Sequence, residues 1–413
     1  MDKREVIRNV VNHQPVDEVP RDLGGGYTTG IQGEAYRDLV EHLGLDERVK
    51  IWERLEWGAV PSEQVLQWAG GYCIDPYLNG ARQLPEDSPE ELWKEYTRPT
   101  GEEYLIPRDL VIDQEADGRE VIRDEAGTPM LVRSESSYYF DDYPVEYFPL
   151  KDVDDLGTIE ALPDTAIYEP WTSGDFARLE RNAKWFYENT DYAITPFFGG
   201  SLFALPTHLR GYENFLLDLK RNPEYVKELE EMLVEKHLND LKPFIKAVDD
   251  YAEIIGFADD LGQQDGPLLS PDDFRELIFP YMKRVYDYVH QHSDLKVYLH
   301  SDGAIQSLIP SLIEAGVDIL NPVQFSAKGM DLNTLKQEYG DELVFWGGGV
   351  DTQNTLPNAK PAEVKRQVKE NIRTLHDGSG YVFAQVHNIQ PGVPPVNIEA
   401  MYEAVDEINE EGV

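Results

Sequence analysis

The sequence predicts a (β/α)8 TIM barrel, and three observations predict it. Short apolar runs alternate with amphipathic stretches from Leu156 onward, and with two earlier candidates they number about eight. Nearly every run ends in polar residues at its carboxyl side, as it would if all the ends faced one pocket. The sharpest of these endings is Lys296–Gly303, KVYLHSDG, where an apolar strand stops on His300, Ser301 and Asp302. A doubly wound sheet alternates in the same way, and the polar endings are what favour the barrel. The 413 residues suit two domains or one large barrel with an insertion. The expectation is a single barrel over 1–413, decorated by a β-hairpin insertion at 97–147.

Composition narrows the functions. The charge balance is 37 − 78 = −41 with a pI near 4.4, so a phosphate backbone or an anionic membrane surface is repelled. Nucleic acid and membrane are therefore excluded as expected partners. The acids are dispersed through every segment, which fits either a surface adapted to a salty cytosol or an ordinary acidic enzyme. Mean hydropathy is −0.49, with no apolar run long enough to cross a bilayer and no leader pattern, so a cytoplasmic protein is expected. The single cysteine, Cys73, rules out a metal site built on two thiolates of one chain.

In order along the chain, MDKREVIRNVVNHQP has helical spacing and ends at Pro15. VPRDLGGG is strand-like and places Asp22 before Gly24 to Gly26, a triplet that suits a ligand approach or a plain turn. Gly33–Leu45 reads as a helix and GGYCIDPYLN as a strand. Between Thr97 and Tyr147 the alternation in EVIRDEAGTPMLVRSE and the turn signal Ala126-Gly127-Thr128 predict β-hairpins. Tyr138, Tyr139, Asp141 and Asp142 there either cover the barrel mouth or form a solvated ribbon, and the ribbon is the expectation. The strands that follow are YAITPFFGG, EIIGFADDLG, KVYLHSDG, DILNPVQF, LVFWGGGVDTQ and YVFAQVHNIQ. The helices between them are expected at Pro271–His292, Ala304–Ala315, Leu332–Tyr339 and Pro361–Leu375, with a last one at Ile398–Ile408.

His300 and Asp302, two apart, share one side of a strand end, and the run Tyr381–Val386 delivers His387 in the same manner. Two imidazoles and a carboxylate suit a divalent metal, and they suit acid–base work equally well. Asp302 also suits an N-cap before Ala304. Asp259 and Asp260, followed by Gln264, end another strand and can bind a metal, share a proton or hold a cation. Asn321, Gln324, Asp351 and Gln390 complete a ring of polar groups. The catalytic candidates are His300, His387 and Asp260. The metal candidates are His300, Asp302 and His387. The substrate-binding candidates are Asp22, Asp259, Gln264, Asn321, Gln324, Asp351 and Gln390.

GFADDLGQQDGPLLSPDDFRELIFPYMKRV, KVYLHSDG, AGVDILNPVQ, FWGGGVDTQNTLP and HNIQPGVPPVNIEAMYEAV resemble the uroporphyrinogen decarboxylase superfamily over roughly Gly199 to Val405, and most closely its methylcobamide methyltransferase-like branch. The resemblance implies a barrel whose active site lies at the strands' carboxyl ends. Uroporphyrinogen decarboxylases carry two arginines in an N-terminal motif that binds substrate carboxylates, and VPRDLGGGYTTG offers only Arg21. His387 matches that family's histidine before its xxxP turn. Zinc methyltransferases of the superfamily use His-x-Cys and a later Cys; this chain keeps the histidine as His300 and has Asp302 and His387 in the cysteine positions. Any bound metal is thus expected to be zinc or a harder divalent ion. The resemblance implies a methyltransferase moving a methyl group between a small molecule or corrinoid and a thiol or folate acceptor, with a corrinoid protein as partner and a homodimer as assembly. The alternatives are a decarboxylase of a tetrapyrrole or smaller carboxylated substrate, and a non-catalytic corrinoid- or tetrapyrrole-binding protein.

Overall fold

A computed structural model describes residues 1–78, 80–123, 127–142, 148–158, 165, 168 and 170–412. It is a mixed α/β fold built on parallel strands: β1 (Cys73–Ile74), β2 (Ala193–Ile194), β3 (Phe197–Gly199), β4 (Ile254–Ala258), β5 (Lys296–His300), β6 (Ile319–Asn321), β7 (Val344–Trp346) and β8 (Tyr381–Val382). Strands β3 to β8 pair in chain order as a 6-stranded parallel sheet, and β2 pairs in parallel with β1. Apolar residues on both sides of these strands are buried, which is why they read as continuous apolar runs and not as alternating ones. Helices such as Pro223–Val248 and Phe279–His292 fill the connections, as parallel pairing requires.

Main-chain hydrogen bonds extend the array at its flanks. Asp22 N donates to Phe383 O at 2.8 Å, Phe383 N to Pro20 O at 2.8 Å, Tyr72 N to Arg21 O at 2.9 Å and Gly256 N to Pro196 O at 2.9 Å. VPRDLGGG thus contributes a strand-like segment through single bridges.

Prolines account for most departures from the expected elements. YAITPFFGG is two short strands because Pro196 has no N–H to donate. The expected Pro271–His292 helix is divided into Pro271–Leu277 and Phe279–His292, where the ring of Pro280 displaces the carbonyl four residues back. The expected Ala304–Ala315 helix begins with a 3-10 turn, Gln306–Leu308, before Ile309–Ala315. The last helix is longer than expected, Pro395–Glu411, with proline tolerated in its first turn.

The region read as hairpins is antiparallel. Trp93–Thr97 pairs with Glu103–Pro107, and a 4-stranded sheet joins Ile112–Gln114, Glu120–Arg123, Pro129–Arg133 and Asp141–Asp142. Parts of the expected stretch, 124–126 with Ala126 of the turn signal and 143–147, lie outside the described residues. Buried ion pairs fasten this sheet to the rest. Arg133 donates to both oxygens of Glu120 at 2.8 and 2.9 Å and lies between the rings of Trp57 and Phe140, 4.1 and 4.2 Å away. Arg98 pairs with Glu34 at 2.6 Å. Among the described residues, no helix is long and apolar enough to cross a membrane.

Candidate active site

The site grows from the end of β5. Tyr298 and His300 share a strand face, and Tyr298 packs among Ile254, Ile319, Val344, Trp346 and Val382, which puts His300 at the inner edge of the sheet. The register pairs His300 with Ala258 of β4 and Asn321 of β6. After the strand the chain turns sharply at Gly303, whose φ of +92° and near contact with Gly262 leave no room for a side chain. That turn aims Asp302 inward.

Asn321 sets the orientation of His300. Its Nδ2 donates to Trp346 O at 2.8 Å, so its Oδ1 faces His300 Nδ1, 2.6 Å away. The Nδ1–H therefore donates to the amide, and Nε2 is left to face Asp302 Oδ2 at 3.5 Å and Asp260 Oδ1 at 3.9 Å. Asp302 N donates to Asp260 Oδ1 at 3.0 Å, which holds the two carboxylates together. One ligand atom from each of Asp260, His300 and Asp302 lies within 4.8 Å of the others. Asp302 Oδ1 is buried with no hydrogen-bond partner.

His387 meets this trio through Asp302, whose Oδ2 is 3.5 Å from its Nε2. The same nitrogen is 3.5 Å from Glu56 Oε1. Asn388 donates to Glu56 Oε2 at 2.9 Å, and Gln390 Nε2 donates to Asn388 O at 2.8 Å while lying 3.2 Å from His387 Nδ1. Expected as a third metal ligand, His387 instead stands between Glu56 and Asp302, and Asp260 takes its place in the cluster.

These contacts set the charges. Burial works against protonation of His387, but Glu56 and Asp302 outweigh it and push the imidazole up to about 10. His300 is also raised: burial opposes the charge, and the hydrogen bond and charge of Asp302 overcome it. Burial pushes Asp302 upward, but the two imidazoles hold it below the usual carboxylate range. Burial together with the Asp302 charge raises Asp260. His387 thus carries its proton between the carboxylates of Glu56 and Asp302.

A cleft of about 780 Å³ opens over this floor. Asp302, His387, Glu56, Gln264, Gln324 and Gln390 are among its lining residues. Gln324 accepts from Gly303 N at 2.7 Å and Gln264 donates to Ser326 O at 2.5 Å, so both amides are held in place. Asn321 is fully buried behind His300 and acts through it.

Three expected ligands face protein donors and not the cleft. Asp22 accepts from Gly25 N, Thr29 Oγ1 and Trp346 Nε1 at 2.9, 2.8 and 3.1 Å, so the glycine triplet is a turn closed on it. Asp259 accepts from Ser201 Oγ and from the main-chain N–H groups of Leu202, Phe203 and Ala204, capping the Ala204–Arg210 helix. Asp351 accepts from Gln353 N at 2.8 Å and Asn354 N at 3.2 Å ahead of the Thr355–Asn358 helix. Arg21 points to Asp406 of the last helix, 2.5 Å away, and neither residue lines the cleft. Glu56 is the residue sequence reasoning missed: it follows the short strand Ile51–Glu53 and carries no motif. The ribbon expectation also gives way, since Tyr139, Phe140 and Asp141 line the cleft.

Polar groups gather at the carboxyl ends of the parallel strands, the end at which barrel enzymes keep their chemistry. The chain belongs to the uroporphyrinogen decarboxylase (URO-D) family, which residues 189–408 match. Curated relatives include uroporphyrinogen decarboxylases from Hydrogenovibrio crunogenus, 26% identical over 147 residues, and Legionella pneumophila, 28% identical over 145 residues. Each alignment spans 35% of this chain and 39% of the relative. A methyltransferase from Methanosarcina mazei is similar in structure, with a TM-score of 0.61 and 15% identity over 98% of this chain and 99% of that one. The last likeness speaks for the fold alone.

Proposed function

We propose that the chain is a methyltransferase that moves a methyl group between a methylated small molecule or corrinoid and a thiol or folate acceptor. The observation that carries this reading is the Asp260–His300–Asp302 cluster on the cleft floor. It occupies the place where the resembling zinc methyltransferases have His-x-Cys. The hydrogen bonds at the flanks of the parallel strands support a closed eight-stranded barrel with this cluster at its mouth.

The residues fit a divalent cation. One imidazole nitrogen with its partner nitrogen already engaged, two carboxylates and an unpartnered buried carboxylate oxygen form a borderline-to-hard donor set. When bound, such an ion supplies Lewis acidity and lowers the pKa of a thiol or water beside it. The chain's own groups do the rest. Asn321 orients His300; Asp260 and Gln264 orient substrate; His387, held protonated by Glu56, has a proton to give at Nε2.

That proton favours a second reading, a decarboxylase of a weakly anionic substrate, in which His387 protonates the carbon left after CO2 departs. A non-catalytic corrinoid-binding protein is the third. Methyl transfer from a methylated corrinoid to a thiol by the metal-loaded protein tests the first; CO2 release without methyl transfer supports the second, and stoichiometric corrinoid binding without turnover the third. A corrinoid protein as partner and a homodimeric assembly belong to the same proposal, the latter tested by sedimentation in working salt.

A further inference from the structure

The cleft has a second wall that the floor chemistry does not use. Asp141, which opens the last strand of the antiparallel sheet, and Tyr139 and Phe140 just before it supply this wall. Phe140 N donates to Leu55 O at 2.9 Å, so this wall is tied to the loop that carries Glu56. The Tyr139 hydroxyl senses that carboxylate: burial raises it and the Glu56 charge raises it further. Among the described lining residues there is no lysine or arginine. The charged groups are Glu56, Asp141 and Asp302 with the imidazoles His208 and His387, and five glutamines supply neutral amides. Asp302 adds a buried oxygen without a partner.

The cation among the described lining residues, His387, is already paired with Glu56 and Asp302, so a multiply charged anion would find no free partner and its desolvation would go uncompensated. An alkylated ammonium has the opposite needs. It has few or no N–H groups to satisfy, gains from an aromatic face, and is held by carboxylates that it need not hydrogen-bond. The Phe140 ring already lies against one cation, Arg133, on its buried side. We infer that the cleft takes a substrate bearing an alkylated ammonium group, held between the Tyr139 ring and the carboxylates of Asp141 and Glu56. This rests on the cleft being the substrate site, as proposed above.

The test is equilibrium binding to the full chain, without metal or methyl acceptor, by calorimetry at constant ionic strength. Tetramethylammonium chloride is compared with 2,2-dimethylpropanol, a neutral probe of similar size, and with tricarballylate, a trianion. Tetramethylammonium should bind at least about tenfold more tightly than the alcohol, and tricarballylate should not bind. Asp141→Asn and Tyr139→Ala should each weaken the cation by about threefold or more, while Tyr139→Phe retains it. Equal affinity for cation and alcohol, tighter binding of tricarballylate, or indifference of affinity to both Asp141→Asn and Tyr139→Ala would overturn the inference. Binding of the cation by a protein that transfers no methyl group would instead count against methyl transfer alone.

Discussion

A histidine that holds a cation must present a lone pair, and Asn321 decides which nitrogen of His300 does so. Because its own amide is pinned by Trp346 O, the carboxamide takes the Nδ1 proton and leaves Nε2 facing the carboxylates. Asn321→Ala should therefore weaken divalent-ion binding by about 10- to 100-fold, read by competition with a chelating dye, while circular dichroism stays native. His300→Ala should abolish stoichiometric metal, whereas His387→Ala should leave it bound, since His387 touches only Asp302 of the trio. Equal loss in both variants would sink this division of labour. Asp302→Cys should move the preference toward zinc over manganese, and an unchanged ratio in metal analysis would count against Asp302 as a ligand. His300, Asp302 and His387 were legible because each ends an apolar run. Asp22, Asp259 and Asp351 sit at similar places and proved to be acceptors for local N–H groups, since sequence position does not distinguish a carboxylate that faces a cleft from one that caps a helix. Glu56 was illegible because its partner, His387, lies 331 positions away in sequence and only folding brings them together.

At the scale of elements, helices with clean periodicity and a proline or aspartate at the start read correctly to the residue, as Leu332–Tyr339 and Pro361–Leu375 show. Strands were found but read too long, because pairing stops where the chain bends into the site; the run to Val386 pairs as a strand only over Tyr381–Val382. The antiparallel sheet was visible as alternation, yet its role as a cleft wall was not. That role depends on Arg133, an arginine in an alternating strand that looks solvent-facing but is fully buried. Removing it takes two hydrogen bonds from buried Glu120 and leaves that carboxylate to Arg98 and the Tyr96 hydroxyl. Arg133→Met should cost about 3–5 kcal/mol in denaturant unfolding, and adding Glu120→Leu should recover part of it, because Arg98 gives up its contact with Glu120 but keeps the one with Glu34. A double variant no more stable than Arg133→Met would show that the ring contacts, and not the buried charge, dominate.

Over the whole molecule, −41 of net charge makes stability a matter of solvent as much as of core. Salt screens surface repulsion, so the melting temperature at pH 7.5 should rise from low to molar salt. The buried acids add a pH dependence of definite sign. Burial raises Asp22, Asp75 and Asp259 to about 6 and Glu53 to about 7. A raised group favours the folded state fully below its unfolded pKa and loses that contribution as pH rises through the folded value, at about 1.4 kcal/mol per unit. Buried His237 runs the other way: lowered to about 4, it withdraws stability as pH falls from 6.5. Burial lowers His13 and His376 as well, but these four acids and Glu230, raised well above the usual carboxylate range, outweigh the histidines, so the protein in low salt should melt at a higher temperature at pH 5 than at pH 7.5. At about pH 4.5, close to the pI of 4.4, the surface carries little net charge and the internal acids are already neutral. The salt dependence seen at pH 7.5 should then nearly vanish. Parallel melts across salt at the two pH values check this, and an equal or steeper salt slope at pH 4.5 would show that general repulsion is not what the salt relieves.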